Sequence, residues 1–248
     1  MSKTVAKAVH VLETLASAPK TVAELARELG VHGSTALRML QPLADGGLIT
    51  RGPDGRYRLG FRLVELGQQV LDEMDLRAVA RPHLTSLADA TRLTVHLAQL
   101  VDDQIVYVDK IEGAASIRTW SRIGRAVPLH TAAASKVILA ALPADHRDRL
   151  LSAHAFTRYT ERTITGEAEF RAHLVEVARL GYATDQAEFE RLVHCIGVGI
   201  PDVTGQLLAA VSLTTVRADT DLPELGCLLG QVRDTATAIA VALGHQAS

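Results

Sequence analysis

The sequence predicts an α+β chain of two domains joined by a helical linker. Three observations predict it. Residues 1–60 hold three short helical patterns and then a hairpin pattern, while residues 75–248 hold strand pairs interrupted by helices, and charge divides between the two parts. Residues 1–62 carry nine Lys/Arg against five Asp/Glu, a balance of +4. Residues 63–248 carry seventeen against twenty-three, a balance of −6, within a formal net charge of −2. A basic segment on an otherwise acidic chain is the mark of an appended polyanion-binding module.

Composition narrows the classes further. Of 248 residues 48% are hydrophobic, enough to build real cores, so disorder is not the dominant state. Gly (18) and Pro (8) follow no period, which excludes a collagen-like fibre. No apolar run is long enough to predict a membrane span, and the first residues lack the apolar core of a signal peptide. Cys195 and Cys227 are too few for a disulfide framework. The expectation is a cytoplasmic protein with no membrane partner.

The first helical pattern, residues 5–15, places Val5, Ala8, Val11, Leu12 and Leu15 on one face, and Pro19-Lys20 closes it. Thr21 is placed to cap a second helix, with Glu24 bonding back to the Thr21 amide as a capping box. Val22, Leu25, Ala26 and Leu29 form its stripe, Gly30 supplies the left-handed end, and Val31 is expected to plug the core. A third helix starts near Ser34, with Ala36, Met39, Leu40 and Leu43 inward and Ser34, Thr35, Arg38 and Gln41 outward. Two helices joined by a tight turn, the second with a small polar N-terminal face, is how a helix-turn-helix enters a major groove. Arg38 suits a guanine edge or a phosphate, and the hydroxyls suit either. Solvated positions carry the same residue types, so this helix alone does not decide. Pro42 removes the bond to the Arg38 carbonyl and predicts a kink, which either aims the helix or is tolerated near its end.

The next stretch decides. Residues 48–51 read as a strand, Gly52-Pro53-Asp54-Gly55 as a turn, and residues 56–59 as the return strand. Alternation puts Tyr57 and Leu59 on one face and Arg56 and Arg58 on the other. A hairpin after a recognition helix is a wing, and Arg51, Arg56 and Arg58 suit an adjacent backbone or minor groove. Residues 1–60 are therefore read as a winged helix-turn-helix that binds double-stranded DNA.

The strings Ser34-Thr35-Ala36-Leu37-Arg38 and Tyr57-Arg58-Leu59-Gly60 resemble the recognition-helix and wing signatures of the IclR-type (isocitrate lyase regulator) transcription factors. Leu37 departs from the polar residue often found there. Residues 61–74, with Phe61, Leu63, Val64, Leu66, Val70 and Leu71, form an apolar linker helix that must pack on a second copy or on the following domain. Two-fold dimers usually read paired half-sites, which favours a homodimer, or a tetramer, on a palindromic operator. In the resembling family this segment likewise connects two domains.

Residues 76–90 read as a helix, 94–100 and 104–111 as strands around Asp102-Asp103, and 117–120 as an edge strand. Helices follow over 132–142, 144–152 and 167–180, then paired strands over 195–200 and 206–215, and a closing helix from 222 to about 243. This is an antiparallel sheet flanked by helices. Its most suggestive string is Val127-Pro128-Leu129-His130-Thr131-Ala132-Ala133-Ala134-Ser135-Lys136. A helix N-terminus offers unpaired amides and a positive dipole end, and three alanines leave them unobstructed. A close-packed helix start would read the same.

That string resembles the effector-domain signature of the same family, as do Gly181-Tyr182-Ala183-Thr184-Asp185, Cys195-Ile196 and Ala209-Ala210-Val211-Ser212-Leu213-Thr214. The resemblance implies a repressor or activator whose GAF-like domain, residues 75–248, binds a small metabolite, expected to be a carboxylate. Carried over by position, Ala133, Ala134, Asp185, Cys195, Ser212 and Thr214 would line the pocket, with Val193 as an apolar wall. Ser135 replaces a usual glycine and either narrows the cradle or adds a donor; Leu192, Gly197 and Gly199 also depart from the family. His130, Ser135, Asp185 and Cys195 are ingredients of nucleophilic catalysis, but no motif sets their geometry, so no enzyme is expected. His130 and Cys195 belong to no ligand-spaced cluster, so neither metal nor cofactor is expected; a redox role for Cys195 is the remaining alternative.

Overall fold

The computed structural model describes residues 3–72, 75–114, 121–216 and 222–245. The chain divides into two compact units, Met1–Glu73 and Met74–Ser248. The segment read as a separate linker thus groups with the first unit up to residue 73.

In the first unit three helices, α1 (Lys3–Ser17), α2 (Val22–Glu28) and α3 (Gly33–Asp45), precede strands β1 (Ile49–Arg51) and β2 (Tyr57–Leu59) and a last helix, α4 (Arg62–Asp72). Val11, Leu15, Leu25, Leu29, Leu40, Ile49 and Tyr57 make the core, with Val31 and Leu43 packed against it. The capping box forms: the Thr21 amide donates to Glu24 Oε2 at 2.6 Å and the Glu24 amide donates to Thr21 Oγ1 at 3.3 Å. Gly30 takes φ +62°, which turns the chain between α2 and α3. One expectation changes: Met39 is half-buried beside an open groove between α1 and α3 instead of lying in the core. Helix α3 runs through Pro42, which is tolerated near the helix end because it sits in the last turn, where one ladder bond is lost and the Gly46 amide still reaches the Pro42 carbonyl at 3.0 Å. The wing gains a partner that sequence reading missed. Lys20 exchanges both backbone bonds with Tyr57, at 3.1 and 2.7 Å, so the hairpin is fastened to the loop before α2. On α4 and just before it, Phe61, Val64 and Leu66 remain exposed.

The second unit is a five-stranded antiparallel sheet between two helical layers. Helix α5 (Asp75–Thr91) leads into β3 (Thr94–Val101) and β4 (Gln104–Ile111), followed by α6 (Ala133–Ala141), α7 (Ala144–Ser152) and α8 (Glu167–Leu180). Strands β5 (Tyr182–Gln186), β6 (Val193–Pro201) and β7 (Leu207–Val216) come next, then α9 (Leu222–Cys227) and α10 (Leu229–Ala242). The sheet order is β4-β3-β7-β6-β5. One face packs Leu76, Leu84 and Leu87 of α5 and Val232 and Ile239 of α10 against Val95, Leu97, Ile196, Val211 and Leu213. The other face receives α6 and α8 through Val137, Leu139, Phe170 and Leu174. The β3–β4 hairpin closes through Asp102 and Asp103 at φ +46° and +61°, the left-handed pair that a two-residue turn between twisted strands requires.

Strand β5 was not among the expected strands; its polar Thr184, Asp185 and Gln186 carry little apolar alternation. The closing helix is two helices, broken at Leu228 after Gly226-Cys227. Residues 117–120, read as an edge strand, lie outside the described residues. Among the described residues no helix is long and apolar enough to cross a membrane.

Candidate functional site

In the first unit the outward face of α3 presents Ser34, Leu37, Arg38 and Gln41 to solvent, with Thr35 half-buried. Gln41 donates to Asp45 Oδ1 at 2.7 Å. Arg38 is exposed and makes no ion pair or hydrogen bond among the described residues, so its guanidinium is free to take a partner. The wing arginines are held differently. Arg58 Nη2 pairs with Asp54 at 2.6 Å, and Arg56 Nη1 reaches Glu24 Oε2 at 3.0 Å and the Pro19 carbonyl at 3.1 Å. Arg51 instead donates to the Gly55 carbonyl at 3.2 Å, its guanidinium over the Tyr57 ring. The wing pairs are exposed and therefore weak, so they exchange readily for phosphate.

In the second unit the α6 side of the sheet is polar at one end. Register explains how. Asp185 on β5 stands opposite Cys195 on β6, and Cys195 stands opposite Thr214 on β7. One step along, Gly197, Ser212 and His96 form the neighbouring row. Side chains on one sheet face recur every second residue, so these residues from four strands share a floor. Above it lies the first turn of α6. It comes close because residue 197 has no side chain: a Cβ there would stand 3.1 Å from Ala133 C and Ala134 N. The sequence departure at Gly197 therefore lowers the helix start onto the sheet.

Between floor and helix is a cavity of about 40 Å³. At roughly 10–15 Å³ per water-sized site it holds about three such sites, room for a compact ligand. Ala133, Ala134, Asp185, Val193, Cys195, Ser212 and Thr214 all line it. Ser135 does not. Its hydroxyl is committed to the Pro128, Leu129 and Ala132 carbonyls at 2.8, 3.1 and 2.9 Å, so it ties down the helix start and neither narrows the cradle nor adds a free donor.

The cavity also contains groups that sequence reading passed over. His96 donates or accepts at both ring nitrogens, Nε2 with Ser121 Oγ at 2.7 Å and Nδ1 with Thr214 Oγ1 at 3.3 Å. Burial, then the nearby Lys110, pushes its pKa down to about 3, so the ring is neutral. Thr131 Oγ1 is fully buried and has no hydrogen-bond partner among the described residues. A buried hydroxyl left unpaired costs free energy, and one that lines a cavity is poised for a ligand. The Thr131 signal lay inside the quoted string; the His96 signal needed strand pairing. Cys195 contacts the Thr214 hydroxyl at 3.2 Å, and burial pushes its thiol pKa up, which opposes thiolate chemistry.

A sequence profile described as the bacterial transcriptional regulator IclR C-terminal region matches residues 68–241, and a second, the IclR helix-turn-helix domain, matches residues 4–53. The chain belongs to the IclR family.

The HTH-type transcriptional regulator XynR of Escherichia coli (strain K12) is 34% identical over 227 residues, covering 91% of this chain and 90% of XynR. The crystal structure of the Thermotoga maritima IclR superposes with a TM-score of 0.80 at 30% identity, over 99% of this chain and all of that one. An IclR homologue from Microbacterium hydrocarbonoxydans complexed with 4-hydroxybenzoate superposes with a TM-score of 0.80 at 25% identity, covering 97% and 98% of the two chains. This IclR-family chain is a DNA-binding transcriptional regulator and not an enzyme, and its fold is the α+β, two-domain arrangement of those structures.

The turn after β5 carries the far wall of the regulator's cavity. Lys136 of α6, fully buried, donates to Glu188 Oε1 at 2.6 Å and to the Thr184 carbonyl at 2.9 Å. Thr160 Oγ1 donates to the Ala187 carbonyl and Thr163 Oγ1 to the Glu188 carbonyl, both at 2.7 Å. Asp185 Oδ1 accepts from the Glu188 amide at 2.8 Å. These bonds hold Ala187 at φ +62° and place Phe189 and Glu190 on the cavity. The lysine of the effector-domain signature is thus a strut behind the wall.

Proposed function

We propose that this regulator binds a small organic acid in the C-terminal cavity and that occupancy retunes its affinity for a palindromic operator. The observation that carries the reading is the convergence, in one cavity, of the α6 start, a Thr131 hydroxyl with no partner among the described residues, and the Ser212, Thr214 and Asp185 side chains. Helix amides favour an anion, the hydroxyls supply a second set of bonds, and Val193 and Tyr107 give apolar walls. A hydroxyl or hydrated carbonyl on the ligand would give a donor to Glu190 and to whichever Asp185 oxygen carries no proton. The complex of the Microbacterium homologue with 4-hydroxybenzoate supports this reading. Titration of the full chain with a metabolite panel tests it: Asp185→Ala is expected to weaken binding at least tenfold, and equal affinities for variant and wild type would end the assignment.

On DNA, Ser34, Thr35, Arg38 and Gln41 of the recognition helix face base edges, while Arg51, Arg56 and Arg58 of the wing take backbone or minor groove. A homodimer or tetramer places two such helices on paired half-sites, and the effector acts by shifting populations among its arrangements. Arg38→Ala is expected to cost about 1–3 kcal/mol on the operator and to relax preference at one base position. Arg51→Ala is expected to weaken all sequences alike and to lower the salt slope by about one. Arg56 shares its charge with Glu24, so its loss changes the slope less. Binding measured over a salt series with operator and scrambled duplexes separates the two classes; an Arg51→Ala slope equal to that of wild type would remove the wing from the interface.

A further inference from the structure

Asp185 presents an electrostatic problem that the effector reading must solve. It is 3% exposed and lines the cavity from β5. No cation hydrogen-bonds its carboxyl among the described residues; its recorded partner is the Glu188 amide. Lys136, the buried cation nearby, spends its bonds on Glu188 and the Thr184 carbonyl. The same turn adds the carboxyl groups of Glu188 and Glu190, the latter lining the cavity. A carboxylate ligand seated at the α6 start therefore shares a space of about 40 Å³ with Asp185, and no cation is among the described residues that line it. Two carboxyl groups so confined do not both ionise; they share a proton. The helix dipole and amides favour the charge on the ligand. The proton then belongs on Asp185, whose O–H can donate a short, charge-assisted bond to the ligand.

We infer, resting on the effector reading above, that Asp185 holds the effector's carboxylate in its neutral, protonated form, so that each binding event in the alkaline range takes up one proton. The regulator then reads pH together with metabolite concentration.

The surroundings agree. Burial, and then the Glu188 charge, raise the Asp185 pKa to about 7, against the opposing pull of Lys136. Other titratable groups line the cavity or lie near Lys136 behind it. Burial raises Tyr107 on β4 and Cys195 on β6 and lowers His96 on β3. On α8, burial lowers His173 to about 4. Glu188 is raised by burial but is bonded to Lys136, and Glu190 faces the cavity as well. The apparent affinity for an anionic probe should be flat below neutrality and fall about tenfold per pH unit above it.

The test is calorimetric titration of the full chain with pyruvate, lactate and 4-hydroxybenzoate from about pH 5.5 to 8.5, in paired buffers of unlike ionisation heat. For wild type the expected result is uptake approaching one proton at the alkaline end and a tenfold loss of affinity per unit there. Asp185→Asn donates an N–H without needing a proton, so it should bind with pH-independent affinity and exceed wild type at pH 8.5. A flat wild-type profile, no proton uptake in the alkaline range, or an unchanged slope in Asp185→Asn would overturn the inference while leaving effector binding in place. Failure of all three probes to bind either protein at any pH would overturn the effector reading and this inference with it.

Discussion

Lys136→Met is expected to destabilise the C-terminal unit by about 3–5 kcal/mol, the usual cost of stranding one member of a buried ion pair. The lysine side chain has no exposure and that of Glu188 only 8%. Among the described residues Glu188 Oε2 already has no hydrogen-bond partner, so losing Lys136 leaves the carboxyl with only a weak 3.4 Å bond from the Gln186 amide there. Burial raises the Glu188 pKa even with the lysine in place, and removal of the lysine raises it further. The sign follows. A carboxyl whose folded pKa lies above its unfolded value binds more protons when folded, so stability is retained below the unfolded value and lost as pH rises toward the folded one. The deficit of the variant should therefore be small near pH 4.5 and full above neutrality. Urea unfolding at several pH values measures it, and Lys136→Met with Glu188→Gln should recover most of the loss, because a neutral pair carries no stranded charge. A deficit below about 1 kcal/mol, or one independent of pH, would show that the pair is not what holds the turn.

Gly60→Ala is expected to cost the N-terminal unit about 3 kcal/mol, at the upper end of overpacking penalties. A Cβ on residue 60 would stand 2.0 Å from the Gly47 carbonyl oxygen and 2.9 Å from Leu48 C. Both obstacles are backbone, and both are fastened: the Gly60 amide donates to Leu48 at 2.8 Å, and the Leu48 amide donates to Leu43 at 2.9 Å. The chain must open where the wing rejoins α3. For a unit of this size about 3 kcal/mol lowers the unfolding midpoint by roughly 12–24 °C. Thermal melts and operator titration should show lost DNA binding with unchanged effector affinity. An unchanged midpoint would mean that the wing is not closed as described.

Local signals were the legible ones. The Thr21–Glu24 box, the turns at Gly30 and Gly52-Pro53-Asp54-Gly55, and the amphipathic stripes of α1 and α2 act within a few residues, so the sequence carries them directly. Strand β5 was not legible as a strand: polar residues that serve the cavity interrupt its pattern. The bond pair between Lys20 and Tyr57 was equally hidden, since nothing near residue 20 marks it as a strand partner.

At the cavity, seven of the eight residues expected for the effector line it, and the eighth, Ser135, is anchored away by three carbonyls. His96, Thr131 and the Lys136 strut acquire their roles from register and burial, quantities that depend on partners up to 118 positions away. The amino-acid order by itself determined the helices, the wing, the charge division and the family, because propensity, capping and motif are short-range properties. Only the tertiary structure decided that the wing arginines Arg56 and Arg58 are held by carboxylates while Arg38 has no partner among the described residues, and that Asp185 is buried away from any bonded cation there, because free charge and pKa depend on what packs alongside each group.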